Sequence, residues 1–157
     1  MTDRRETNDR PLVTSSAGGI LSLGMHLYLV RHAEAAPGEP DELRPLTPAG
    51  REQARRLGER LRKEGVRPEV VLTSPLLRAR ETGKLIAREL GAEVRVEDAL
   101  APGATPGPLA RAIQRAAASL VVAVGHQPDC SRIAAALTGE PEPAFPPAGS
   151  VVIRLGD

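Results

Sequence analysis

Two of the three histidines in this 157-residue chain stand directly after apolar runs. His26-Leu27-Tyr28-Leu29-Val30 leads into Arg31-His32, and Leu120-Val121-Val122-Ala123-Val124 leads into Gly125-His126. A third run, residues 69–73, leads into Ser74-Pro75-Leu76-Leu77-Arg78. An unprotonated imidazole nitrogen is a nucleophile. A guanidinium fork matches the oxygens of a phosphate. Two histidines and two arginines at the ends of three runs therefore describe a cationic pocket suited to a phosphoryl group. The third histidine, His26, only opens the first run and reads as incidental.

For these side chains to meet, the runs must be strands whose ends lie together. Residues 26–30, 69–73, 93–96, 119–124 and 150–155 read as strands. Helices are expected between them. One opens at Thr47-Pro48, a good cap followed by a favoured first residue, and stops at Gly65. A second runs from Pro75 to Gly91, a third over 108–118, and a fourth from Pro128 to Thr138. Strands that alternate with helices and are apolar throughout predict an α/β protein. The expected architecture is a three-layer α/β/α sandwich with a mainly parallel central sheet. In such sheets ligands bind at the carboxyl ends of the strands, and helix N-termini near Pro48, Pro75 and Pro128 would favour an anion there. Residues 1–24 carry no apolar period and read as a disordered extension, with Met25 as an alternative start. Residues 25–157 read as a single domain.

Composition narrows the partners. Lys+Arg 21 against Asp+Glu 20 gives a net charge of +1, so nothing global attracts nucleic acid or an anionic membrane. Tyr28 and Phe145 are the only aromatic residues, which argues against a base-stacking surface and leaves the core to Val, Ile, Leu and Ala. The lone Cys130 excludes an internal disulfide and fits a reducing cytoplasm. Lys63 and Lys84 are the only lysines among the 21 basic residues. That arginine excess reads mainly as compositional bias or thermal adaptation. His32-x-Glu34 lacks the Pro-Cys-x-x-Cys of a zinc deaminase, and neither a H-E-x-x-H pattern nor a Walker motif occurs. No metal and no cofactor are expected.

The motifs, taken in order, resemble those of a known family. Leu29-Val30-Arg31-His32-Ala33 is similar to the Arg-His-Gly signature of the histidine phosphatase superfamily, the phosphoglycerate mutase-like fold. Arg44-Pro45-Leu46-Thr47 with Gly50, Ser74-Pro75 with Arg78, Glu81-Thr82, and Gly125-His126-Gln127-Pro128 follow as they do in that family. The short chain most resembles the SixA-type phosphohistidine phosphatases. The resemblance implies that His32 attacks phosphorus to form a phosphohistidine intermediate. It implies that Arg31 and Arg78 bind phosphoryl oxygens and that His126 donates to them. It adds Arg44 as a further phosphate contact, with an ion pair as the alternative reading. An unprotonated reacting nitrogen on His32 requires the other nitrogen to donate a hydrogen bond, such as to a backbone carbonyl.

Two departures stand out against the family pattern. Ala33 replaces the glycine of the signature, which implies ordinary backbone geometry at that point. Both of the family's usual general-acid positions are also empty, being occupied here by Pro102 and Gln127. Glu97, Asp98, Asp129 and Glu34 are nearby substitutes, though their spacing requires none of them. Glu81 reads as a solvated or salt-bridging residue. A phosphatase of protein phosphohistidine is the leading expectation, its partner a phosphorylated protein domain. A small-molecule phosphomonoesterase and a non-catalytic phosphate-binding module remain open.

Overall fold

Successive side chains of a strand point to opposite faces, so a strand that is apolar throughout must be covered on both sides. The computed structural model, which describes residues 24–156, meets this requirement with three layers. The expected extension, residues 1–24, lies outside the described residues apart from Gly24. The strands are β1 (Met25–Arg31), β2 (Val70–Thr73), β3 (Glu93–Val96), β4 (Leu120–Gly125) and β5 (Ser150–Leu155). The helices are α1 (Pro48–Lys63), α2 (Leu77–Leu90), α3 (Pro106–Ala116) and α4 (Asp129–Thr138). The sheet order is β3-β2-β4-β1-β5. Every pairing is parallel except that of β5, which runs antiparallel to β1.

Each sheet face has its own core. Leu27, Leu29, Leu72 and Val121 face Ile113 of α3 and Ile133 of α4, with Phe145 buried among them. Val30, Val71, Val122 and Val124 face Leu57 and Leu61 of α1 and Ile86 of α2. The helices that follow the neighbouring strands β1 and β4 therefore cover opposite faces. Such a pair of strands opens a crevice at its carboxyl end, where ligands of open α/β sheets bind.

Local chemistry explains most element ends. The Thr47 side chain accepts the Gly50 N–H at 2.9 Å and caps α1, and Gly65 follows α1 in left-handed geometry. Three expected starts are displaced. Ser74 Oγ accepts the Leu76 N–H across a bend at Pro75 and Leu76, so α2 begins at Leu77 rather than Pro75. Helix α3 spans 106–116 instead of 108–118 and ends at Ala117 in left-handed geometry, where no glycine marks the stop. Helix α4 starts one residue after Pro128. A few of the arginines form exposed ion pairs along α1, such as Arg55–Glu52, Arg56–Glu52 and Arg55–Glu59. Pairs of this kind contribute little stability.

The first turn of α1 packs on the chain just after His32. Thr47 N–H donates to the Glu34 carbonyl, and Gln53 accepts the Glu34 N–H. A Cβ at position 50 would collide with the same Glu34 carbonyl oxygen. Backbone on both sides leaves little room to relax. Gly50→Ala is expected to destabilise the protein by about 1–3 kcal/mol, the usual scale for overpacking. Urea denaturation of the two forms measures this, and equal midpoints would show that α1 can move away.

Candidate active site

Strand register brings the sequence-predicted residues together. Arg31 pairs with Gly125 and Thr73 with Val124. The next residues, His32, His126 and Ser74, consequently leave three adjacent strands at one edge. The His32 N–H donates to the Gly125 carbonyl at 2.9 Å, and the Ser74 N–H to the Val124 carbonyl at 3.0 Å. The two imidazole centroids lie 5.2 Å apart with their planes at 59°.

The His32 ring is fixed by its nearest neighbour. Nδ1 lies 2.7 Å from the Ala33 carbonyl oxygen. A carbonyl only accepts, so Nδ1 carries the proton and Nε2 the free electron pair. Burial lowers the His32 pKa to about 4, and the positive charges of Arg78, Arg31 and Arg44 add to that effect. The ring is therefore neutral at pH 7, with an available nucleophilic nitrogen. Ala33 has no positive φ, is fully buried, and donates its N–H to Thr82 Oγ1 at 3.0 Å. The Thr82 hydroxyl donates to the Arg78 carbonyl at 2.8 Å, which ties the His32 segment to the first turn of α2.

His126 is 4% exposed, and its Nε2 lies 2.7 Å from Ser74 Oγ. Burial, then His32, lowers the His126 pKa to about 4 as well. Arg31 and Arg78 share one mode of anchorage. Arg31 Nη1 donates to the Phe145 carbonyl at 3.0 Å, and Arg78 Nη1 to the Asp41 carbonyl at 2.9 Å. In both residues Nε is buried without a partner, as is His126 Nδ1. An unsatisfied buried donor costs about 1–3 kcal/mol. Two such donors, the Nε groups of Arg31 and Arg78, belong to side chains whose positive charges act on the His32 ring.

Arg44 is less free. Its Nε donates to Asp41 Oδ1 at 2.9 Å and its Nη1 to the Ala36 carbonyl at 3.2 Å. Of the carboxylates considered as acids, Asp129, Glu97 and Glu34 are engaged in other hydrogen bonds. Asp129 Oδ2 accepts the N–H groups of Gly103 and Ala104. Glu97 accepts the Ala99 N–H, Glu34 accepts from the Thr47 hydroxyl, and Asp98 is exposed in a 3-10 turn. Glu81, expected to be solvated or ion-paired, instead accepts the Leu46 N–H at 2.8 Å. Sequence reasoning missed Asp41, Gln53 and the Phe145 carbonyl and named Thr82 only as part of a motif; these groups hold Arg78, Glu34, Arg31 and Ala33 in place. Among the described residues no group of three or more His, Cys, Asp or Glu is placed to hold a metal ion, and no helix is long and apolar enough to cross a membrane.

The model of the histidine phosphatase superfamily (branch 1) matches residues 27–129, which contain every one of these side chains except the Phe145 anchor. The chain belongs to the histidine phosphatase superfamily. Its structure is similar to that of the protein histidine phosphatase SixA solved with tungstate, at 29% identity and a TM-score of 0.73. That similarity covers 79% of this chain and 84% of the other. An uncharacterized protein of Picosynechococcus is 39% identical over 72% of this chain and 73% of its own. Mitochondrial Pgam5 of Drosophila persimilis, a serine/threonine-protein phosphatase, is 41% identical over 43% of this chain. Only 24% of that relative is covered. The superfamily fold thus accounts for the three-layer architecture, and this chain is one of its phosphatases.

The depressed His32 pKa has a measurable consequence. A histidine held neutral in the folded state keeps its nucleophile as pH falls, and loses it only near its own folded pKa. The His32 ring resonances are expected to titrate near pH 4 in NMR spectra, with the acid limb of kcat/KM following them. A midpoint near 6.5 would contradict the buried, neutral ring.

Proposed function

We propose that the protein is a phosphohistidine phosphatase working through a covalent phosphoryl intermediate on His32. The observation that carries this reading is the locked ring of His32, which leaves Nε2 free, together with the unpaired buried Nε groups of Arg31 and Arg78. The likeness to the SixA protein histidine phosphatase supports the substrate class. The free, buried Cys130, whose thiol pKa burial raises to about 12, fits a reducing cytoplasm.

In the proposed reaction Nε2 of His32 attacks phosphorus in line with the substrate nitrogen. The new P–N bond forms as the old one breaks, and the ring proton stays on Nδ1 against the Ala33 carbonyl. Arg31, Arg78 and His126 donate to the phosphoryl oxygens, where charge must be held in the transition state. Water then attacks the phosphoryl group, releasing orthophosphate and restoring His32.

The leaving group decides between substrate classes. An alkyl phosphate must expel an alkoxide-like oxygen, and a positioned acid is commonly worth about 10²–10⁴ in rate. Here the usual acid positions hold Pro102 and Gln127. Gln127 caps α4 by bonding Ser131 through both ends of its amide. Phosphohistidine needs no such donor. Its ring, with a free-imidazole pKa of about 6.5, can take a proton from solvent and depart neutral.

Two measurements test the proposal. Wild-type enzyme quenched during turnover of labelled substrate should carry an acid-labile phosphoryl group on His32, and His32→Ala should stay folded yet lose turnover; substantial residual activity would sink the covalent mechanism. The second compares kcat/KM for a phosphohistidine protein, p-nitrophenyl phosphate and a sugar phosphate. The first two should be favoured, and equal turnover of the sugar phosphate would move a small-molecule phosphomonoesterase into first place.

A further inference from the structure

Asp41 stands between two guanidinium groups of the site. Its Oδ1 accepts from Arg44 Nε at 2.9 Å and its Oδ2 from Arg78 Nη2 at 3.2 Å. Its side chain is 62% exposed, against 7% for Arg78 and 25% for Arg44. The carboxylate therefore lies on the solvent side of the arginines. Its position is set by the backbone. Asp41 opens the 3-10 turn 41–43, whose end is closed by the Arg44 N–H donating to the Asp41 carbonyl. The loop around it is closed by the Ala35–Leu46 bridge and by the Ala36 N–H donating to the Pro45 carbonyl.

The three arginines are consequently not equivalent. Arg31 and Arg78 keep an unpaired Nε–H while anchored through Nη1, so a phosphoryl group can bind them with Asp41 in place. Arg44 has its only Nε–H on Asp41 and a Nη1 proton on Ala36. A second anionic group beside the phosphoryl would meet an arginine already neutralised and a carboxylate of its own sign.

We propose that Asp41 is a specificity-determining residue: it restricts the site to a lone phosphoryl group and rejects substrates bearing a second anion nearby, such as diphosphates, bisphosphates and phosphorylated acids. The inference rests on the reading of Arg31, Arg78 and His126 as a phosphoryl site, and it deepens that reading. Phosphohistidine meets the restriction, because its leaving group is a neutral imidazole. A purely orienting role for Asp41 on Arg78 makes the opposite forecast, since loss of orientation would weaken every anion.

Isothermal titration calorimetry with orthophosphate and pyrophosphate separates these cases. Wild-type protein should bind orthophosphate. Asp41→Asn should raise pyrophosphate affinity relative to orthophosphate by roughly fivefold, the upper scale of an exposed ion pair. The gain should shrink in high salt and vanish when Arg44→Ala is added. Asp41→Ser, which also suits a turn, should give the same change in ratio if the amide disturbs the loop. An unchanged ratio in both variants, or a parallel loss of both anions, would overturn the role of Asp41 while leaving the phosphoryl site intact. Failure of the wild type to bind orthophosphate would overturn the site reading and the inference together.

Discussion

The parallel pairing of β1 with β4 sets the geometry on which the site depends. Because Arg31 is opposite Gly125, the two histidines that follow must emerge side by side, and the His32 amide is held on the Gly125 carbonyl. A shift of one residue in this register would turn every side chain of the shifted strand to the other face. Both strands are buried on both faces, among Leu27, Leu29, Val30, Val121, Val122, Ala123 and Val124, so any such slip would misplace core and site together. The precision of the imidazole pair is thus inherited from the packing of the sheet.

Around that pair the protein holds positive charge in place with main-chain carbonyls. Arg31 is tied to Phe145 and Arg78 to Asp41, each through Nη1. A neutral carbonyl fixes a guanidinium without cancelling its charge; of the two, only Arg78 also meets a carboxylate, the exposed one of Asp41 at 3.2 Å. The same charges, together with burial, keep the imidazoles unprotonated. Anchorage and histidine ionisation are therefore one arrangement: the anchored arginines are also among the groups that keep His32 neutral.

The strands and the residues that follow them were legible in the sequence, because continuous apolar runs and Arg-His or Gly-His pairs are local signals. Helix ends were less so. Helix α2 starts two residues late because Ser74 Oγ takes the Leu76 N–H, and α3 stops at a left-handed alanine that carries no mark in the sequence. The anti-parallel placement of β5 depends on the long connection from α4, which has no period of its own. Asp41 was invisible for a different reason. Its partner Arg78 is 37 residues away, and an exposed carboxylate in a Pro-rich loop looks like any other. Thr82 and Glu81 lay within a recognised motif, yet only the fold shows that one holds Ala33 and the other Leu46.

The fate of the carboxylates links the stability of the loops to the chemistry proposed for the site. Asp129 is 8% exposed and accepts two main-chain N–H groups. To act as an acid it would have to release the loop at residues 103–104. Glu97 and Glu34 likewise hold the 3-10 turn at 98–100 and the entry to α1. Asp41 is kept ionised by its hydrogen bonds to Arg44 and Arg78. Recruiting Asp129, Glu97 or Glu34 as a proton donor would dismantle a contact that holds a loop or turn. In the proposed reaction this is no handicap, since a phosphorylated imidazole can be protonated by solvent before it leaves. The same set of bonds that keeps the loops in place would then bias the enzyme toward P–N bonds, with no group dedicated to excluding ordinary esters.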